Sequence, residues 1–343
     1  MSLRAALLGV VTLVGFLVSL AACSYDVEHA EACSEDGRAL QVGFYPFFAP
    51  VSYSADEDPD SPGFGTHLGY EADLLTALEA MEGAGLSFSR RPIAAWDDIW
   101  LQPAGPEYDV VGGGITILDS RTRNAAGEQV VGFTSGHIAF RQSLLVRAED
   151  AKRLTSHDVL TSDMRVGVVA GTTGETRLLV LTGLTDATGV LAAGTRISTP
   201  GGELTADGSP DYTITAAGES SILQGRSRLY PPSDDLPQVV YLGDELGETE
   251  LLDSLVDGSV DAVARGEIGN SDAAHESGGV FVVTALDSES EYGGFALAVN
   301  DADLLSCVDE KIDYLTDDRR IGYANWREDP SVFMRRAEMW VGD

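Results

Sequence analysis

An α/β fold in two lobes is what this chain of 343 residues predicts, on three observations. Its length suits two lobes with a sizeable core. Short apolar runs of strand character alternate with segments whose apolar residues recur at helical spacing. Met164–Ala170 is the most continuous of the strands, and Leu74, Leu75, Leu78 and Met81 mark the clearest helix. Two strands also open into glycine turns, at Gly112–Gly114 and Gly171–Gly174, where a backbone can approach a ligand closely.

Composition narrows the function classes. The chain carries 55 acidic against 22 basic residues, a formal charge of -33. Such a surface repels phosphate backbones, so nucleic acid is excluded as a partner. The acidity reads as a solvated surface, and no calcium-loop spacing accompanies it. His29, His67, His137, His157 and His275 are scattered without metal-ligand spacing, and no Gly-x-Ser-x-Gly elbow is present. No metal, cofactor or catalytic residue is therefore expected.

At the N-terminus, Arg4 precedes the apolar run Ala5–Leu20, followed by Ala21, Ala22 and Cys23. This pattern describes an export signal over residues 1–22, with a spanning helix as the alternative. Leu20-Ala21-Ala22-Cys23 resembles a bacterial lipobox, which implies cleavage before Cys23 and lipid on its thiol. Residues 23–37 read as an acidic tether. Cys33 and Cys307 then remain, either as a disulfide outside the cytoplasm or as two unpaired thiols.

Along the chain, Ala39–Phe44 reads as a first strand running into the aromatic and proline-rich turn Tyr45–Pro50. Ala55–Gly65 is a loop, Gly69–Met81 a helix, Leu86–Pro92 a strand and Ala95–Trp100 the start of another helix. The stretch YDVVGGGITILDSRTR from Tyr108 leads through Phe133-Thr134-Ser135 to an apolar strand at Ser143–Val146. Arg147–Leu160 reads as a charged hinge crossing. Thr172 and Glu175 have capping-box spacing at the start of a helix, whose free N–H groups suit an anion. Within residues 183–238, Arg196–Ala217 alternates short strand-like pieces with Gly, Pro and Asp, suggesting an added hairpin or two, Tyr230–Asp235 reads as loop, and no role is assigned to the segment. Val239–Leu242, Glu250–Val256, Val280–Leu286 and Asp303–Leu315 complete a strand, helix, strand, helix order.

The order of Tyr108-Asp109, GGIT, Arg121, Phe133-Thr134-Ser135 and a strand resembles the polar-amino-acid-binding family, family 3, of type II periplasmic solute receptors. So do VGVVAGTTGE from Val166, GSVDAV from Gly258, the return strand Glu291–Val299 and Gly322–Trp326. The likeness covers residues 38–326 except the insertion at about 183–238. It implies a type II periplasmic-binding-protein-like fold with two hinge crossings, lobe 1 being 38–146 with 288–343 and lobe 2 being 147–287. It also implies a site between the lobes. Arg121 and Thr116 would hold a ligand carboxylate, the first through a planar bidentate fork. Gly114 would offer its carbonyl, Thr172 and Thr173 would face them from lobe 2, and Phe48 and Trp96 would sandwich the ligand. The family's acceptor for the ligand ammonium falls at Gly266, which has no side chain. Glu267 is the nearest replacement, whereas Arg265 pointing inward would favour a second acidic group on the ligand. The function implied is a lipid-anchored extracytoplasmic receptor, monomeric, that binds an amino acid or related carboxylate and delivers it to an ABC importer permease. A sensor or adaptor uncoupled from transport is one alternative. An enzyme on this fold, like the cyclohexadienyl dehydratases, is another.

Overall fold

The computed structural model describes residues 32–34, 37–243 and 248–341. The export signal, Cys23 and most of the tether lie outside these. Among the described residues no helix is long and apolar enough to cross a membrane.

Two sheets form the centres of two lobes. In lobe 1 the strand Leu40–Phe44 lies parallel to both Phe88–Pro92 and Val110–Gly112. Ala296–Ala298 then runs antiparallel between Val110–Gly112 and Val131–Phe133. Leu40, Val42 and Val110 are buried against Leu74, Leu75 and Leu78 of the helix Tyr70–Ala80. Its apolar spacing is thus the spacing of one core-facing stripe. The helices Ala302–Thr316 and Val332–Glu338 pack into the same core through Val308, Ile312 and Phe333. Cys33 and Cys307 form a disulfide across 274 residues, with Cα atoms 5.5 Å apart. It fastens the start of the domain to the helix Ala302–Thr316.

Lobe 2 is built on eight strands. Arg165–Val168 is parallel to Gln238–Tyr241 and Ala262–Gly266, as its continuous burial required. The strand Gln142–Arg147 lies in this sheet, antiparallel to Ala262–Gly266 and Phe281–Thr284. That moves the first hinge. Residues 142–146, assigned to lobe 1 from the sequence, belong to the lobe-2 sheet, and the crossing is Ile138–Phe140 rather than Arg147–Leu160. Leu144, Leu145 and Val146 are fully buried, the mark of a central strand covered on both faces. Ile138–Phe140 pairs antiparallel with Glu291–Gly293, the second crossing, so the two connections form a short ribbon between the lobes.

The insertion extends the lobe-2 sheet. Arg196–Thr199 and Gly202–Thr205 form a hairpin, and Arg228–Tyr230 joins it to Gln238–Tyr241. A second, smaller hairpin pairs Ile214–Thr215 with Gly218–Glu219 and reaches back toward lobe 1. The helix expected from Ala95 is instead a 3-10 segment at Ile99–Ala104, which leaves Trp96 in the preceding loop.

Candidate functional site

Each lobe offers one glycine turn to the space between them. In lobe 1 Gly114 adopts φ +69°, and a Cβ there would fall 2.4 Å from the Phe48 ring. Only glycine lets that aromatic side chain lie against the turn. The buried carboxylate of Glu71 holds the turn in place. It accepts the N–H groups of Gly113 at 2.7 Å and Gly114 at 2.9 Å, and Nε2 of His137 lies 3.1 Å from Oε1. In lobe 2 the corresponding turn is at Gly171, φ +70°. Thr172 caps the helix Thr173–Thr182 by accepting from Glu175 N–H at 3.2 Å. The capping box is not completed, however: the Glu175 carboxylate turns to Gly171 N–H at 2.7 Å. Its other oxygen accepts from Arg226 Nη2 at 2.6 Å. Burial pushes the Glu175 carboxyl above the usual carboxylate range, and the Arg226 charge opposes this.

A cleft with about 720 Å³ of space, part of it open to solvent, lies between the turns. Phe48, Trp96, Gly114 and Thr116 line it from lobe 1, and Thr172, Thr173, Arg265 and Gly266 from lobe 2. Tyr45, Phe47 and Phe140 add further aromatic surface. The two lobes meet within the cleft at the hydroxyls of Thr116 and Thr173, 3.3 Å apart and within hydrogen-bond distance.

Two of the expected ligand contacts are placed elsewhere. Arg121 does not line the cleft. It is 1% exposed, and its three nitrogens donate to main-chain carbonyls. Nε reaches Ala216 at 2.9 Å, Nη1 reaches Thr116 at 3.2 Å and Nη2 reaches Gly171 at 3.1 Å. Its guanidinium also lies 4.3 Å from the centre of the Trp100 ring, a cation–π arrangement. The fork expected to take a carboxylate is therefore filled by the protein's own backbone. Burial pulls Arg121 down to about 9, with the charge of Glu291 acting the other way, so it stays charged at neutral pH. Glu267 is the second. It opens the helix Glu267–Glu276, where its carboxylate meets Arg141 Nε at 3.3 Å. It faces a separate cavity behind the hinge, with His137, Tyr292 and Arg319.

Arg265 does point into the cleft and donates through Nε to Asn270 Oδ1 at 3.0 Å. At Gly266 there is room: a Cβ would meet only Phe140, at 3.9 Å.

One polar cleft residue escaped the sequence reading, as did the aromatic Phe140. Gln142, at the start of the strand entering lobe 2, donates to Thr173 Oγ1 at 3.0 Å and to Glu291 Oε2 at 2.6 Å. Its buried Oε1 lacks a hydrogen-bond partner among the described residues. Burial raises Glu291 above its usual range, opposed first by its bond from Gln142. The available signal was a polar residue placed directly before the apolar run Ser143–Val146.

No family model matches the chain. A Neisseria gonorrhoeae protein described as a probable histidine-binding protein is 28% identical over 159 residues, 46% of this chain. The match spans about half of that relative, 53% of its length. Solved structures share the fold over most of their length. The arginine-bound amino acid ABC transporter substrate-binding protein AbpA of Streptococcus pneumoniae superposes with a TM-score of 0.56 at 16% identity, over 87% of this chain and 95% of its own. The ancestral amino acid-binding protein AncCDT-1, a precursor of cyclohexadienyl dehydratase, gives 0.54 at 19%, over 88% and 95%. ArtJ of Geobacillus stearothermophilus, which binds arginine, lysine and histidine, gives 0.53 at 19%, over 89% and 96%. The chain thus has the two-lobe type II periplasmic-binding fold.

Proposed function

We propose that this protein is an extracytoplasmic receptor that binds one small amino acid between its lobes and presents it to an ABC importer. The supporting observation is the cleft itself. It has aromatic walls, facing threonines and a buried amide oxygen without a partner among the described residues, the composition of a small-molecule site with few orienting polar groups. The ligand carboxylate sits at the first turn of the helix Thr173–Thr182, where unpaired N–H groups and the helix dipole favour an anion. Thr116 and Thr173 add hydroxyls, and Arg265 adds a positive charge on the same wall. The ammonium turns to Gln142 Oε1, with the Glu291 carboxylate behind it, in place of the side chain absent at Gly266. Phe48, Trp96, Tyr45 and Phe140 enclose the rest of the ligand. Gly114 lines the cleft beside them. Cys23 carries the lipid that keeps the monomeric protein at the membrane surface.

Calorimetry across the amino acids and dicarboxylates tests the reading. One-site binding of an amino acid, lost in Gln142→Leu, supports it. Binding of dicarboxylates alone, or no binding in either set, overturns it. The anchor is read separately: Cys23→Ala should release the protein from the membrane fraction.

A further inference from the structure

The insertion reaches across the cleft to the arginine that the sequence reading assigned to the ligand. Ala216, at the tip of the hairpin Ile214–Glu219, is buried and accepts the Arg121 Nε–H at 2.9 Å. Beside it Ala217 packs on the lobe-1 cluster around Ile99, Trp100 and Ile115. The base of the same hairpin is tied to lobe 2, because Glu219 pairs with Arg226 Nη1 at 3.2 Å. From there the contacts form a closed ring. Arg226 binds Glu175 at 2.6 Å, Glu175 accepts Gly171 N–H at 2.7 Å, and the Gly171 carbonyl accepts from Arg121 Nη2 at 3.1 Å. Trp96 Nε1 donates to that carbonyl as well, at 3.1 Å. Every member of the ring lies outside the ligand contacts proposed above except Trp96.

We propose that the hairpin Ile214–Glu219 is a clasp between the lobes, and that Arg121 is a positioning residue for closure rather than a ligand contact. A guanidinium spends its directional donors on whichever acceptors are fixed around it. Here those acceptors are carbonyls from lobe 1, from lobe 2 and from the insertion that extends lobe 2, so the side chain fastens lobe 1 to two segments that a hinge motion would carry away from it. The carboxylate of a ligand would have to displace two of these interlobe bonds to use the same fork. Closure then does not wait for a ligand, and the free protein populates the shut form.

The test needs no ligand for its first readout. Spin labels at Glu82→Cys and Lys152→Cys, exposed positions in lobe 1 and lobe 2, report the interlobe distance in the free protein. The intact chain should give a single short distance. Two variants, Arg121→Lys and a chain with residues 214–219 replaced by two glycines, should each gain a longer-distance population. The shortened chain keeps the sheet strands Arg196–Thr199 and Arg228–Tyr230, so it tests the clasp even where Arg121→Lys folds poorly. Unchanged distances in folded protein overturn the proposal. The second readout rests on the function proposed above: bound amino acid should leave the shortened chain about tenfold faster, the loss of one charge-assisted hydrogen bond. Loss of binding in Arg121→Lys with no change of distance would return Arg121 to the ligand and also overturn the clasp.

Discussion

The two lobes solve one problem in two ways. Each presents a glycine turn to the cleft, and each fixes that turn with a buried carboxylate from the start of a helix: Glu71 in lobe 1 and Glu175 in lobe 2. An unpaired carboxylate is costly to bury, so each needs a partner. Lobe 1 takes it from the hinge, as His137, beside two turn N–H groups. In lobe 2 one turn N–H reaches the carboxylate, and its main opposing charge comes from Arg226, supplied by the insertion, with a smaller contribution from Tyr241. The lobe-2 turn thus depends on a segment that the resemblance does not cover. That is a physical reason for the insertion to be more than surface decoration.

Removing Arg226 should break the lobe-2 arrangement most severely. Arg226→Met leaves Glu175 buried with no opposing charge, only Gly171 N–H and the neutral Tyr241 hydroxyl beside it, and an uncompensated buried charge costs about 3–5 kcal/mol. Urea unfolding at neutral pH should show that loss. Adding Glu175→Gln to the same chain should recover part of it, since the charge rather than the missing side-chain volume is responsible. No recovery would reduce Arg226 to a packing role.

The matching change in lobe 1 should be milder. In Glu71→Gln one side-chain oxygen remains for Gly113 and Gly114, while the new NH2 faces a donor. Loss of a charge-assisted bond of this kind costs about 1.5–3 kcal/mol. The same measurement reads it. A loss equal to that of Arg226→Met would show that the two turns depend equally on their buried carboxylates.

What the sequence made legible follows the same division. Strand and helix positions came from local apolar spacing, which survives in the structure because the faces it marks are the faces buried. The glycine turns were legible because positive φ restricts the residue type. The placement of Arg121 was not readable because two of its partners are 50 and 95 residues away, and nothing local says which carbonyls will surround a guanidinium. The hinge was misplaced for a related reason. An apolar run such as Ser143–Val146 announces a buried strand without saying which of two sheets buries it. Arg226 sits in the insertion, to which the sequence assigned no role, and only the fold brings it to Glu175.

Acid should also separate the lobes. His67, in lobe 1, is buried against Phe44 with rings 4.0 Å apart, and Nε2 meets Ser52 Oγ at 2.9 Å. Burial pushes it down to about 3, with Arg90 adding to the effect. A depressed folded value means the unfolded chain binds the proton first, so stability is lost as pH falls from 6.5 toward 3. At pH 5.5 the loss is about 1.4 kcal/mol. His157, in lobe 2, is lowered too, again by burial, but nearby Asp287 and Asp158 oppose it. Thermal unfolding between pH 7 and 5 should therefore flatten in His67→Gln more than in His157→Gln. An equal response would remove the distinction.

The smallest effect tests where the ligand's ammonium lies. Gly266 has φ -54°, an ordinary value for any residue, and a Cβ there meets only Phe140 at 3.9 Å. Gly266→Asp is thus sterically free. Asp is also a favoured residue at a helix N-cap, so the variant should fold at least as well as the parent chain. The change is then read in binding alone. With the ammonium at Gln142 Oε1, one strand away, a carboxylate on this wall adds a second acceptor. Affinity for the amino acid should rise about threefold to tenfold, the net value of one further hydrogen bond. Gly266→Asn should give less, because it lacks the charge. A fall in affinity with Asp but not with Asn would mean that an anionic group of the ligand faces this wall, beside Arg265. In that case the lobe-2 side would read a second acid rather than an amine.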